Sequence, residues 1–184
     1  MLRKYYLAYG SNLNLEQMKK RCHSFKVIDT INLQGYKLVY KGSEDNYAYL
    51  TIEKCENSYV PLALFSVSLF DTIALDNYEG YPFSYLKKYF TVDVEGKEKD
   101  AFLYVMNNDN DYHIPSDEYV EICKKGYKDF NFDEAILDKA YSDTCKNIKK
   151  LELKRKKFVF LLYFCSFPIY KKKNIRYNLC CSFD

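Results

Sequence analysis

The sequence predicts an α+β fold: a curved, mixed β-sheet or small barrel with helices around it. Three observations point there. Runs of β-branched and aromatic residues dominate the first seventy positions, and punctuated helical segments are interspersed among them or come last. No internal repeat or Pro/Gly-rich linker divides the first 150 residues. At 184 residues and 48% hydrophobic content, the chain suits one domain with a real core.

Leu2 to Ala8 has the aliphatic and aromatic content of a buried strand. A polar turn follows, and Asn12 or Asn14 caps a helix over 15–22 in which Leu15 and Met18 share a face. Residues 26–42 and 46–55 read as strands joined near Gly42-Ser43, and 59–68 as a further apolar strand. Ser68 with Asp71 resembles a capping box, Leu69, Ile73 and Leu75 offer the helix an apolar face, and Gly80 and Pro82 end it. Residues 87–107 form a hairpin turning at Glu95-Gly96-Lys97. Ser116 caps a helix over 117–130, and residues 133–148 form the last helix of the body.

Composition removes several function classes. Seven cysteines contain no Cys-x-x-Cys pair, which argues against a zinc site and a disulfide framework and for reduced thiols in a cytoplasm. Only His23 and His113 are present, so a Ser-His-Asp mechanism and a His-rich metal site are poorly supplied. Arg3 and Lys4 leave the N-terminal apolar stretch too short for a signal peptide. Residues 151–184 carry eight Lys/Arg and two acids, a net +6; with +3 for the whole chain, the first 150 residues carry −3. We therefore expect a body over 1–150 and a basic, apolar extension over 151–184.

Two short segments hold the candidate chemistry. In "ALDNYEGYP", Glu79 occupies the last helical turn, where the helix dipole disfavours a carboxylate by about 0.3–1 kcal/mol. Asp76 adds a like charge one turn earlier, and Tyr78, Tyr81 and Tyr85 surround it with rings, so a buried Glu79 should have a raised pKa. The plain alternative is a solvated helix-end residue. In "YYLAYGSNL", Gly10-Ser11-Asn12 could be a nest of backbone N–H groups for a carboxylate or oxyanion. The plain alternative there is a glycine needing positive φ followed by a helix cap.

Taken together, Tyr-Gly-Ser-Asn-Leu after the first strand and Leu-Asp-x-Tyr-Glu-Gly-Tyr-Pro about seventy residues later resemble the γ-glutamylcyclotransferases and their AIG2-like relatives. Arg21-Cys22, Leu50–Cys55 and the helix after Pro115-Ser116 extend the resemblance, which covers about residues 3–145. It implies a turn of Tyr9, Gly10, Ser11, Asn12 and Leu13 that holds the γ-glutamyl group, with Tyr6, Leu7 and Ala8 lining its approach. Glu79 is implied as the catalytic proton shuttle, and Tyr85 and Tyr119 as substrate contacts. The glycine turn and arginine–glutamate pair of the glutathione-specific relatives are not found in this sequence.

The resemblance implies cyclisation of a γ-glutamyl amino acid or amine to 5-oxoproline, with no metal and no organic cofactor. A binding module of the same fold, without turnover, is the alternative. The partner expected is a small γ-glutamyl compound; nothing in the sequence supports specific nucleic-acid binding or an oligomer. Phe158 to Tyr170 is apolar, but as a helix it would span about 20 Å against a bilayer core of about 30 Å. Membrane contact through the tail is therefore not expected, although a lipid- or nucleic-acid-binding adaptor remains the third class.

Overall fold

A long two-stranded ladder organises the molecule. Strands β2 (Lys26–Gly42) and β3 (Ala48–Ser68) run antiparallel from Lys26 opposite Ser66 to Gly42 opposite Ala48. The computed structural model describes residues 2–107 and 110–165. The two apolar stretches expected as separate strands over 46–55 and 59–68 are one strand. Their polar junction does not reverse the chain; it bends it, with Asn57 at φ 59° and a register shift between Gln34 and Tyr36 on the facing strand.

β1 (Arg3–Ala8) pairs antiparallel with the end of β3 and parallel with β5 (Lys97–Met106), which makes the sheet mixed. β4 (Tyr85–Val94) joins β5 through the two-residue turn Glu95-Gly96, both at positive φ as such tight hairpins require. A two-residue strand that the sequence did not announce, β6 (Asp111–Tyr112), completes the order β4-β5-β1-β3-β2-β6. The fold is α+β, and the sheet is open rather than a closed barrel. Its curvature nevertheless brings β5 over the far half of β3, where the Met106 N–H donates to Thr51 Oγ1 at 3.1 Å.

Four helices accompany the sheet: α1 (Leu15–Arg21), α2 (Leu69–Glu79), α3 (Asp117–Asp129) and α4 (Ala135–Cys165). The capping box of α2 is present, and Asp71 also accepts from the N–H groups of His23 and Ser24 and from the Ser24 hydroxyl. The expected apolar face of α2 is not the buried one. Leu69 and Ile73 are exposed, while Asp71, Thr72 and Leu75 are buried, because the capping network turns the polar Asp71 edge inward.

The last helix continues past the expected end at 148. No Gly or Pro stops it before Pro168, and it runs to Cys165. The described residues divide into two units after Lys149. Within the first unit, Leu137, Ala140 and Thr144 of α4 are buried, and Thr144 Oγ1 accepts from the Tyr40 N–H at 3.0 Å. In the second, residues 152–160 are exposed. Part of the Phe158–Tyr170 run and the pair Cys180-Cys181 lie outside the described residues. Among the described residues, no helix is long and apolar enough to cross a membrane.

Candidate active site

The polar turn after β1 and the end of α2 meet for a geometric reason. α2 starts after Ser68, which lies opposite Arg3 at the beginning of β1, and it packs on β1 and β3. Eleven helical residues rise about 16 Å and six extended residues about 20 Å, so the helix ends close to where the strand ends. Gly80 terminates α2 in the left-handed region at φ 63°, and a Cβ there would lie 2.8 Å from Ser84 Oγ. Glu79 is thereby fixed as the last helical residue.

The turn itself is a 3₁₀ turn over Ser11–Leu13, closed by the Leu13 N–H to Gly10 O at 2.9 Å. Helix α3 clamps it: a Cβ on Gly126 would approach Asn14 N to 2.6 Å and Leu13 Cβ to 2.7 Å. The choice between the two asparagines is decided by their bonds. Asn14 caps α1, its Oδ1 accepting from Glu16 and Gln17 N–H at 3.1 Å. Asn12 is released for the site.

The Asn12 side-chain amide donates to Glu79 Oε1 at 2.7 Å and to the Tyr6 hydroxyl at 2.8 Å. Its own oxygen accepts from Arg21 Nη1 at 2.6 Å. The guanidinium also stacks on the Tyr78 ring, 3.6 Å from the centroid. Glu79 Oε2 has no hydrogen-bond partner among the described residues. Burial pushes the Glu79 carboxyl pKa up to about 7, against the opposing pull of the Arg21 charge and the Asn12 hydrogen bond. Asp76 is not the repelling neighbour the sequence suggested. It is paired with Lys87 and accepts from the Tyr104 hydroxyl at 2.5 Å.

Glu79 looks into a narrow niche of about 30 Å³. Of the residues expected at the site, Tyr6, Tyr9, Gly10, Ser11 and Asn12 line one side, and Tyr85 and Tyr119 the other. The two tyrosines grip the backbone of one residue on both sides: Tyr85 donates to Leu50 O at 3.2 Å, and Tyr119 accepts from Leu50 N at 3.1 Å. Burial holds both phenols well above their usual range, so they stay protonated. Leu7, Ala8 and Leu13 are a correction. They do not line the niche but are buried in the core, where apolar side chains brace the turn from behind.

Gly10 is a second correction. Its φ is −118°, not positive; a Cβ there would instead meet the Tyr119 hydroxyl at 3.3 Å. Past Ser11, Glu79, Tyr85 and Tyr119 the niche opens into a cleft of about 610 Å³. No group of residues able to hold a metal occurs among the described residues.

The gamma-glutamyl cyclotransferase, AIG2-like family matches residues 6–121, a span holding both the turn and Glu79. The chain belongs to that family. A solved gamma-glutamyl cyclotransferase is 26% identical, with a TM-score of 0.59 over 69% of this chain and 79% of its own. A human structure described as an uncharacterized protein is also 26% identical, with a TM-score of 0.58 over 68% of this chain and 79% of its own. YkqA from Bacillus subtilis, 16% identical, shares the fold at a TM-score of 0.58 over 70% of this chain and 49% of its own. None of the curated proteins matches.

Three residues at or beside the niche have no role assigned from the sequence: Leu50 and Tyr104, which line it, and Arg21, which bonds Asn12. Arg21 and Leu50 lie in segments that carry the resemblance, yet nothing local marks an arginine ending α1 as a partner of Asn12. Tyr104 had only the alternation of β5 to announce it, facing the same side as the buried Phe102.

Proposed function

We propose that this chain is a cyclotransferase that converts a γ-glutamyl amino acid or amine to 5-oxoproline and the free amine. The observation that carries the reading is Glu79: a carboxyl with a pKa of about 7, one oxygen held by Asn12 of the glycine turn and the other without a hydrogen-bond partner among the described residues. A group titrating near neutrality is suited to take a proton and return it.

The substrate brings its own nucleophile. Its α-amine nitrogen attacks the γ-carbonyl carbon while Glu79 takes a proton from the nitrogen. The tetrahedral centre then collapses, the bond from the γ-carbon to the leaving nitrogen breaks, and Glu79 gives the proton to that nitrogen. No water is consumed and no electrons are transferred. Holding the chain of one molecule bent in the niche makes the attack intramolecular, an advantage reaching about 7–11 kcal/mol in well-oriented cases. The backbone N–H groups of Gly10, Ser11 and Asn12 are the donors for the developing oxyanion or the substrate carboxylate.

The turn, Glu79, Tyr85 and Tyr119 all precede Lys150, which supports residues 1–150 as the catalytic unit. Cys22, Cys55, Cys123 and Cys145 are unpaired, which supports work in a reducing compartment such as the cytoplasm. Incubating the protein with a panel of γ-glutamyl amino acids and amines tests the reading. Release of 5-oxoproline that disappears in Glu79→Gln is expected; binding without release across the panel would leave a non-catalytic binding module.

A further inference from the structure

We propose that the 610 Å³ outer cleft is a leaving-group subsite for an amine that carries an uncharged aromatic ring, making γ-glutamyl amides of such amines the preferred substrates. The inference rests on the reading that the Glu79 niche cyclises the γ-glutamyl end.

Continuity fixes what the cleft receives. It shares Ser11, Glu79, Tyr85 and Tyr119 with the niche. The niche is too small for a whole substrate, so what hangs from the leaving nitrogen beside Glu79 extends into the cleft.

The walls fix its character. Tyr47, Tyr49, Tyr78 and Phe83 line the cleft, and they are 59%, 40%, 48% and 85% exposed. They come from the β2–β3 turn, the start of β3, the end of α2 and the loop after it. Four exposed rings converging from separate segments on one concavity form an apolar surface that gains by being covered. Two of the rings are already held. Tyr49 packs edge-on against Tyr119 with centroids 5.0 Å apart, and Tyr78 lies against Arg21 with its hydroxyl 3.3 Å from Ser11 Oγ. For these two rings little ordering is left for a ligand to impose.

Charge fixes what the cleft rejects. Among the described residues lining it, Glu79 is the one ionisable acid, and none is Lys or Arg. Asn77, Ser84 and Asn110 offer neutral polar groups only. A carboxylate on the leaving group therefore finds no cation among the lining residues, Arg21 being stacked on Tyr78 and bonded to Asn12 and Gln17 outside that lining. A cationic leaving group finds no carboxylate there other than Glu79, which the cyclisation uses for proton transfer.

The test compares kcat/KM of the full chain for four compounds: γ-glutamyl benzylamide, γ-glutamyl methylamide, γ-glutamyl glutamate and γ-glutamyl putrescine. Covering one ring corresponds to about tenfold, so the benzylamide should exceed each of the others by about that factor. In Phe83→Ala and Tyr47→Ala, the benzylamide-to-methylamide ratio should fall toward one, mainly through KM. Equal rates across the series, a faster acidic or cationic substrate, or an unchanged ratio in both variants overturns the proposal. If no compound yields 5-oxoproline, the cyclotransferase reading fails by itself, and calorimetry on the same compounds decides this one. Tighter binding of the benzylamide would uphold the aromatic subsite; equal or absent binding would remove it.

Discussion

The Asn12 amide lies 2.7 Å from Glu79 Oε1, joining two residues 67 positions apart in the chain. Asn12 thus acts as a fixed donor from the turn to the one carboxyl at the end of α2. Replacing Glu79 by Gln keeps that bond's acceptor and the side-chain shape but deletes the proton carrier. We expect 5-oxoproline release to fall by at least about a thousandfold, at the upper part of the range for general acid–base catalysis, with substrate affinity within a few-fold. Turnover of the variant at the wild-type rate would sink the mechanism.

The same substitution should alter stability with a definite sign. The folded-state pKa of Glu79, about 7, lies above its ordinary value of 4.5, so its contribution is intact below pH 4.5 and is lost as pH rises toward and through 7. Glu79→Gln should therefore match the wild type in Tm near pH 4 and exceed it at pH 8. An equal Tm difference at both pH values would show that Glu79 is not desolvated.

Arg21 should set the acid limb of the rate profile. As base, Glu79 must be ionised in the free protein, so kcat/KM should rise with pH to a limb near 7. The Arg21 charge pulls the Glu79 pKa down. Arg21→Met should move the limb to higher pH, and Arg21→Lys should restore it in part, since it returns the charge but not the fork that reaches Asn12. A limb that stays in place in Arg21→Met, with only the maximum reduced, would assign Arg21 a packing role.

The fold was legible where local chemistry is self-contained. Ser68 and Asp71, Gly80, Glu95-Gly96 and Ser116 each marked an element boundary that the structure keeps, because capping and turn geometry are decided within a few residues. The strands expected over 46–55 and 59–68 are one because a polar junction, here with Asn57 at positive φ, serves a bend within a strand as well as a turn between two. The exposed Leu69 and Ile73 misled because burial is set by what packs on the helix, here the bonds from Ser24 and His23 to Asp71. Glu79 and the glycine turn could be picked out as motifs, but the Asn12–Arg21 link, the Tyr85 and Tyr119 grip on Leu50 and the aromatic cleft are tertiary. They depend on α2 folding back along β1, which no short stretch encodes.

Gly10 should matter through space rather than through φ. In Gly10→Val the new Cβ meets the Tyr119 hydroxyl at 3.3 Å, and the added methyls must push that ring off Leu50 N. We expect a folded protein with KM raised several-fold and kcat less affected. An unchanged KM would reduce the turn to a connector.

Asp71 makes the protein acid-sensitive. Burial alone would raise its pKa, but hydrogen bonds from Ser24 and Ser68 together outweigh that and hold it at about 2. A depressed carboxyl stabilises the fold above its unfolded value of 3.8 and loses that contribution, about 2 kcal/mol, as pH falls toward 2. Chemical denaturation of Asp71→Asn should show a smaller stability loss between pH 5 and 2.5 than the wild type shows. Parallel curves would exclude Asp71 as the titrating group.

Truncation after Lys150 should leave both fold and chemistry in place, even though it cuts a continuous helix. The buried α4 side chains Leu137, Ala140 and Thr144 all precede the cut, as does the bond from Tyr40 N–H to Thr144 Oγ1. The described residues 152–160 are exposed, with Leu153, Phe158, Val159 and Phe160 all at least 60% so. Removing exposed helical turns costs the body little, and removing exposed apolar side chains should improve solubility. We expect residues 1–150 to melt within about 4 °C of the full chain, the shift that corresponds to about 1 kcal/mol at this size. They should also release 5-oxoproline at a similar rate. A body that unfolds on truncation would mean that residues 151–184 cover part of the core, and the catalytic unit would then be the whole chain.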